Sequence, residues 1–190
     1  MNVLCISGSP RKTSNTDYLL NRVLDCTGGE LIKLTDYDVR PCTACWACVK
    51  TRSCCVDDDM TRIIVPKLLG ADALVLGTPV YFNNVSAQLK TFIDRTWPLR
   101  GELCNKIGGT VVVGRRYGAE GAIAAIDAFF LKHEMIVADR GVSGIAFRAG
   151  EIREDAESLQ ATDRLAQRIL ALGETLGLNV SPGCIGPRAD

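Results

Sequence analysis

Cysteine is the residue whose number and spacing in this sequence most directly suggest chemistry. The chain has nine cysteines, and five of them fall in one short segment, at Cys42, Cys45, Cys48, Cys54 and Cys55. An odd number would leave one thiol unpaired in a disulfide framework. In a reducing compartment, clustered cysteines more often bind a metal or carry redox chemistry. We therefore interpret this segment as a metal or redox site.

The spacing Cys42-x2-Cys45-x2-Cys48-x5-Cys54 narrows the choice of metal. Four thiolates suit either a 4Fe-4S cubane or a tetrahedral zinc ion, and a C-x2-C-x2-C run places three ligands in one tight turn, as in bacterial ferredoxins. Structural zinc more often separates two C-x2-C pairs by a longer insert. The spacing favours iron-sulfur ligation, with zinc or metal-free thiols as alternatives. Because Cys54 and Cys55 are adjacent, both are candidates for the fourth ligand.

A second stretch, from Ser7 to Thr16, has the composition of a phosphate-binding loop. It follows an apolar run and leads into an amphipathic segment, so it is expected where a strand ends and a helix begins. The first amides of a helix lack intrahelical partners and carry partial positive charge, which suits a phosphate. A polar turn with a good N-cap is the alternative. The candidate ligands are Ser7, Ser9, Pro10, Arg11, Lys12, Ser14, Asn15 and Thr16.

Two later loops have residues suited to a flat aromatic ligand. Each follows a predicted strand, and aromatic rings for stacking stand beside polar groups and glycines that permit close backbone approach. The candidates are Thr78, Pro79, Val80, Tyr81, Phe82 and Asn83 in the first of these loops and Gly114, Tyr117 and Gly118 in the second. Together with the phosphate loop, they predict a site for a flat aromatic molecule with a phosphate tail.

The elements that must position these loops alternate along the chain. Continuous or short apolar runs predict strands at residues 3–6, 30–34, 73–76 and 110–113 and one more within 135–147. Helical periodicity predicts helices at 15–25, 85–97, 122–133 and 156–176, and another from 59 toward 69 that Pro66 should kink or divide. Residues 38–59 show no periodicity and read as a long functional loop. The pattern predicts an α/β fold: a doubly wound, five-stranded parallel sheet in a three-layer αβα sandwich.

Length and charge limit the possibilities further. A chain of 190 residues that is 47% hydrophobic can bury one sizeable core, so we expect a single domain over residues 1–190 with its cysteine-rich loop at 38–59. The formal net charge is zero, which gives no reason to expect nucleic acid or an anionic membrane as a partner. No apolar run approaches the ~20 residues of a membrane span. The N-terminus enters a strand without a leader, so we expect a cytoplasmic protein.

Three motifs resemble those of the flavodoxin-like NADPH-dependent FMN reductase superfamily, and the resemblance covers nearly the whole chain. They are Ser7-Gly8-Ser9-Pro10-Arg11 with Ser14-Asn15-Thr16, Gly77-Thr78-Pro79-Val80-Tyr81-Phe82, and Leu89-Lys90-Thr91-Phe92-Ile93-Asp94-Arg95. The cysteine spacing followed by Asp58-Asp59-Met60 is similar to that of the iron-sulfur flavoproteins within this superfamily.

The resemblance implies two cofactors and an oxidoreductase. FMN would occupy the three loops, and a 4Fe-4S cluster would be held by Cys42, Cys45, Cys48 and Cys54, because the family register to Met60 favours Cys54. It also implies electron transfer with a redox partner such as a ferredoxin or with a small-molecule acceptor, NAD(P)H as a further electron donor, and a homo-oligomer, dimer or tetramer. No acid or base residue is nominated as catalytic.

Two alternative functions remain at this point. One is an NAD(P)H-dependent FMN or quinone reductase that has no cluster. The other is a non-catalytic electron carrier or a zinc-stabilised module.

Overall fold

A parallel β-sheet forms the middle layer of the protein. The computed structural model describes residues 1–180. Within them, strands β1 (Val3–Ser7), β2 (Glu30–Lys33), β3 (Ala73–Pro79), β4 (Ile107–Gly114), β5 (Ile136–Val137) and β6 (Val142–Ile145) form one sheet. The order is β2-β1-β3-β4-β5, β6 also pairs with β4, and all pairings are parallel. This order is that of flavodoxin-like folds.

The last position of the sheet differs from the expectation of five strands. It is filled by two short strands, because β5 pairs with β4 at Ile107 and Gly108, whereas β6 pairs further along, from Val111 to Gly114. A turn separates the two. The Asp139 carboxylate accepts a hydrogen bond from the Gly141 amide at 2.8 Å, and Gly141 has the left-handed φ of 86°. A single strand could not accommodate this turn, which explains the division.

Helices cover both faces of the sheet. Helices α1 (Asn15–Thr27) and α6 (Ala156–Thr175) pack on one face, and α3 (Val65–Gly70), α4 (Ala87–Arg95) and α5 (Ala119–Lys132) pack on the other. Alternation along β1 places Val3 and Cys5 in one core and Leu4 and Ile6 in the opposite one. The expected three-layer sandwich is confirmed. No helix among residues 1–180 is both long and apolar enough to cross a bilayer.

Prolines and left-handed residues explain where several helices depart from their expected bounds. Residues Met60–Ile64 form a π-helical turn, and α3 starts directly after it with Pro66 in its first turn, where a missing amide costs little. The helix expected over 85–97 is α4, which is followed by a 3-10 turn at Trp97–Leu99. The expected irregular loop contains a short helix, α2 (Ala47–Thr51), bounded by left-handed Trp46 and Arg52.

Candidate functional site

The loop after β1 is held in shape by hydrogen bonds among its own residues and by one partly buried lysine. Ser14 caps α1, because its hydroxyl accepts from the Asp17 amide at 3.0 Å. The Ser7 hydroxyl donates to the Asp17 carboxylate. Lys33 lies 2.6 Å from the same carboxylate and also donates to the Arg11 carbonyl. The loop therefore has a fixed path over the start of α1.

Two residues at the start of α1 join this loop to its neighbours. The Asn15 side chain donates to the Arg148 carbonyl at 2.8 Å and accepts from the Gly150 amide at 2.7 Å. Thr16 is buried, and its methyl group lies so close to β3 that a Cβ on Gly77 would fall 2.9 Å away. Glycine is thus required at 77 for this approach.

The loop after β3 ends in a tight turn that presents aromatic rings. Tyr81 and Asn84 exchange backbone hydrogen bonds of 2.9 and 3.0 Å, and Phe82 and Asn83 between them have φ values of 50° and 59°. This is the geometry of a type I′ turn. Phe82 is fully exposed at its tip. The turn packs on α5, since a Cβ on Gly121 would lie 2.1 Å from the Asn83 carbonyl oxygen.

The loops after β1, β3 and β4 surround one cleft of about 450 Å³, which we call the strand-end cleft. Its volume is in the range of small-molecule sites. Eleven of the candidate residues line it: Ser9, Arg11, Asn15, Thr16, Pro79, Val80, Tyr81, Phe82, Asn83, Gly114 and Tyr117. Val113, Arg115 and Ala146 complete the lining.

The other six candidates lie outside the lining: Ser7, Pro10, Lys12, Ser14, Thr78 and Gly118. For several of them the structure shows another contact. The hydroxyls of Ser7 and Ser14 are hydrogen-bonded to the Asp17 carboxylate and the Asp17 amide. The Thr78 hydroxyl accepts from the Ser86 amide at 2.9 Å. Gly118 has a φ of 80° and leaves room for Asn83. Ser7, Ser14, Thr78 and Gly118 thus shape the loops that surround the cleft.

All five clustered cysteines line a second cavity of about 640 Å³, the cysteine cavity. Its far wall comes from the end of α4, the turn after it and the end of α5. That wall is apolar at Ile93, Trp97 and Phe129, and its cations are Lys90, Arg95, Arg100 and Lys132. The structure therefore gathers the cysteines beside positively charged side chains.

The cysteine sulfurs influence one another. Cys45 Sγ lies 3.3 Å from Cys55 Sγ. A hydrogen bond from the Ala47 backbone, followed by one from the Cys55 thiol, lowers the pKa of Cys45. The same contact with Cys45 raises the pKa of Cys55. Cys45 is thus the better thiolate of the two.

The thiols do not converge on one point. In the part of the chain that the structure describes, no group of three or more His, Cys, Asp or Glu side chains is arranged to hold one metal ion. A tetrahedral zinc ion would need four sulfurs about 3.8 Å apart, given Zn–S bonds of about 2.3 Å. A cubane instead takes one thiolate at each of four irons, so its ligand sulfurs lie further apart than those of a zinc site. Four of the five thiols that line this cavity would supply the ligands of a cubane, and the cations of its wall suit the charge of such a cluster.

A buried ion pair anchors the cysteine segment, residues 38–59, to α4. Arg95 donates to both carboxylate oxygens of Asp58, at 2.6 and 3.0 Å, and both side chains are fully buried. Arg95 also donates to the carbonyls of Arg40 at 2.6 Å and Val56 at 3.4 Å. One guanidinium therefore binds the segment on both sides of its cysteines.

Further hydrogen bonds stabilise the charged form of Asp58. Its carboxylate accepts from the Arg40 amide at 3.0 Å and the Thr61 hydroxyl at 3.0 Å. Burial raises the pKa of Asp58, but the hydrogen bonds from Arg95, Arg40 and Thr61 outweigh it and hold the pKa well below its ordinary value. Burial likewise lowers the pKa of Arg95, and Asp58 and Cys54 reverse this. Because Cys54 contributes to raising the pKa of Arg95, its side chain lies beside the guanidinium.

Comparison with known proteins agrees with this arrangement. Residues 1–150 match the model of the NADPH-dependent FMN reductase family. An iron-sulfur flavoprotein of Methanocaldococcus jannaschii is 38% identical over 185 residues, covering 89% of this chain and 95% of the relative. One from Methanosarcina thermophila is 32% identical over 191 residues, covering 94% and 98%.

The chain belongs to the NADPH-dependent FMN reductase family, among its iron-sulfur flavoproteins. As a member of this family it is a flavoprotein and an oxidoreductase. A solved structure supports the fold: the Trp repressor binding protein from Bacillus subtilis superimposes with a TM-score of 0.69 at 23% identity, covering 86% of this chain and 97% of that one. Family membership confirms the resemblance that the motifs suggested.

For this iron-sulfur flavoprotein, the motif Leu89 to Arg95 signalled the family but not the role of its last residue. Arg95 carries the contacts that anchor the cysteine segment, and Trp97, Phe129 and Lys132 form the opposite wall. In the sequence, the only indication of this role is an arginine at the end of an amphipathic helix. In the structure, Phe92, three residues before it, is buried. The stripe Val85, Leu89, Ile93 and Trp97 runs from the core into the cysteine cavity.

We predict that Asp58→Asn destabilises the protein by about 3–5 kcal/mol, because it leaves the Arg95 charge buried without its partner. Urea unfolding followed by circular dichroism measures this loss. The pKa of Asp58 is held below its ordinary value of 3.8, so its contribution is present above that pH. It should be lost as the pH falls further.

Asp57→Asn is the matched control, since the Asp57 side chain is 80% exposed and its loss should change stability by less than about 1 kcal/mol. Equal stability of the two variants would contradict the anchoring role of Asp58.

Proposed function

We propose that this protein transfers electrons between a redox partner and an acceptor through FMN bound in the strand-end cleft and a 4Fe-4S cluster on the cysteine segment. The cluster ligands are Cys42, Cys45, Cys48 and Cys54. The observation that carries the proposal is that the five clustered thiols line one cavity with a cationic wall, in a chain whose family binds flavin.

Several features of the strand-end cleft support FMN. The amides at the start of α1 suit the phosphate, and Ser9, Thr16 and Arg11 add hydroxyl and cationic groups around it. Tyr81 and Tyr117 offer exposed rings for the isoalloxazine. The chain binds and orients the cofactor, and the cofactor supplies the chemistry, since a flavin accepts two electrons and releases them singly.

Two contacts support Cys54 as the fourth ligand. It lies beside the Arg95 guanidinium, whereas the Cys55 sulfur lies 3.3 Å from that of Cys45. Cys54 is half-buried and Cys55 is exposed. In this assignment Cys55 stays a free thiol at the edge of the cavity.

The partners are also part of the proposal. A ferredoxin-like protein or a small-molecule acceptor would exchange electrons with the cofactors, NAD(P)H would be a further donor, and the protein would work as a homo-oligomer, dimer or tetramer, in the cytoplasm. The exposed aromatic side chain Phe82 is available for such contacts.

The experiment that tests the function is an anaerobic absorption spectrum of the reconstituted full chain, with iron, sulfide and zinc analysis. Flavin bands, a broad charge-transfer shoulder and about four iron and four sulfide per chain are expected for a cubane held by four thiolates. Flavin without iron would indicate instead a flavin or quinone reductase without a cluster. Zinc without flavin would indicate a zinc-stabilised module.

We predict that Cys54→Ala abolishes cluster assembly and that Cys55→Ala retains it. The physical reason is that Cys54 is held beside Arg95, whereas Cys55 is paired with Cys45. Iron and sulfide content after reconstitution measures the difference, and bound flavin shows that both variants are folded. Loss of iron in Cys55→Ala alone would assign the fourth ligand to Cys55.

We predict that Thr16→Val weakens FMN binding roughly tenfold or more, the size expected when a hydroxyl bonded to a charged group is lost. Valine keeps the methyl group that packs against Gly77, so the fold should be unaffected. Flavin fluorescence quenching on titration of the FMN-free protein measures affinity. Thr13→Val, at an exposed position outside the cleft lining, is the control. Equal affinities of the two variants would exclude Thr16 as a ligand.

A further inference from the structure

Three buried side-chain nitrogens within residues 1–180 have no hydrogen-bond partner, and all three belong to one cavity. They are Arg95 Nε, Trp97 Nε1 and His133 Nδ1, and the three residues line the cysteine cavity. An unpaired buried polar group is costly, and folded proteins contain few of them. Two of these nitrogens, on Arg95 and Trp97, carry a hydrogen, and their position beside the cysteines indicates that something in this cavity accepts hydrogen bonds from them.

Two of the three atoms can only donate. The indole Nε1 of tryptophan and the Nε of arginine carry a hydrogen and have no acceptor capacity. Both terminal nitrogens of Arg95 are already used, by Asp58 and by the carbonyls of Arg40 and Val56. The Nε–H is therefore the part of this guanidinium that remains for the cavity.

The Trp97 ring is held in place from several sides. The Arg100 guanidinium carbon lies 4.2 Å from the ring centroid and the Lys132 ammonium 5.7 Å from it. Trp46, which stands between Cys45 and Ala47 in the sequence, meets the ring edge-on with centroids 6.3 Å apart. The indole thus contacts the cysteine segment and has little freedom to turn its N–H toward solvent.

The cavity lining offers these donors few acceptors other than sulfur. Its one carboxylate, Asp94, is paired with Lys90 at 2.5 Å. The Thr96 hydroxyl donates to the Ile93 carbonyl at 2.7 Å and lies 3.0 Å from His133 Nε2. Among the side chains of the lining, the acceptors that remain are the Thr43 hydroxyl and the cysteine sulfurs with whatever those sulfurs hold.

We propose that Trp97 Nε1–H and Arg95 Nε–H donate hydrogen bonds to the sulfurs of the cysteine-bound cluster and raise its reduction potential. This rests on the proposed function, which places the cluster on Cys42, Cys45, Cys48 and Cys54. Reduction adds one negative charge to the cluster and its thiolates. N–H dipoles directed at the sulfurs stabilise that added charge and favour the reduced form. Trp97 and Arg95 are thus positioning and tuning residues, and neither is a ligand.

The test is Trp97→Phe in the reconstituted full chain, which removes the N–H and keeps an aromatic ring. The midpoint potential is measured by anaerobic equilibration with redox dyes, with the reduced cluster followed by electron paramagnetic resonance. We expect a more negative midpoint potential. At a fixed solution potential, the ratio of reduced to oxidised cluster should fall about fivefold, which is the change expected for the loss of one net hydrogen bond. An exchangeable proton coupled to the reduced cluster, detected by comparison of water and deuterium oxide, should also disappear.

Trp46→Phe is the matched control, because Trp46 lines the same cavity but is 64% exposed and its indole nitrogen is not among the buried unpartnered atoms. Its potential should equal that of the unmodified protein. Equal shifts in both variants, or no shift in Trp97→Phe at full iron and sulfide content, would overturn the proposal while leaving the cluster assignment intact. Absence of iron and sulfide from the unmodified protein would overturn the proposed function, and this inference with it.

Discussion

The buried ion pair between Asp58 and Arg95 is the interaction on which the position of the cysteines depends. Asp58 lies directly before the helical turn that leads into α3, and Arg95 is the last residue of α4. Removing two charges from water is expensive, so such a pair contributes geometry more than net stability. Here the geometry is specific, because the same guanidinium binds the carbonyls of Arg40 and Val56. The chain from Arg40 to Val56, which contains the cysteines, is therefore a loop whose two ends are held together by Arg95.

Helix α4 connects this anchor to the strand-end cleft. Its N-cap Ser86 donates its hydroxyl to the Gly8 carbonyl at 2.6 Å, and the Ser86 amide donates to Thr78. Nine residues later the helix ends at Arg95, about 13 Å away at 1.5 Å per residue. One short helix therefore fixes the loop after β1 at its start and the cysteine segment at its end. The relative position of the two candidate sites is set by a rigid element, so it does not depend on the flexibility of a loop.

The sequence is sufficient for features that depend on local patterns. Continuous apolar runs predict the central strands, and parallel pairing then requires the loops after β1, β3 and β4 to meet at one edge. It is not sufficient for features that depend on which distant side chains meet. Nothing local indicates that the Ser7 hydroxyl is used by Asp17, or that Arg95 reaches across to Asp58. The fifth strand position is predicted as continuous because the hydrogen bond between Asp139 and the Gly141 amide, which interrupts it, is weak as a sequence signal.

Backbone strain supplies an argument for the sites that is independent of side-chain chemistry. Seven non-glycine residues among those described have positive φ, and five of them, Ala44, Trp46, Arg52, Phe82 and Asn83, lie in the cysteine segment or in the turn over the strand-end cleft. Each such residue costs of order 1 kcal/mol and persists only where its surroundings require it. In the cysteine segment the requirement is a turn tight enough to bring three thiols at C-x2-C-x2-C spacing to one side of the chain. A loop that only connected β2 to α3 would not need these conformations. Their presence, together with the contacts from Arg95, is therefore consistent with a segment that positions its cysteines.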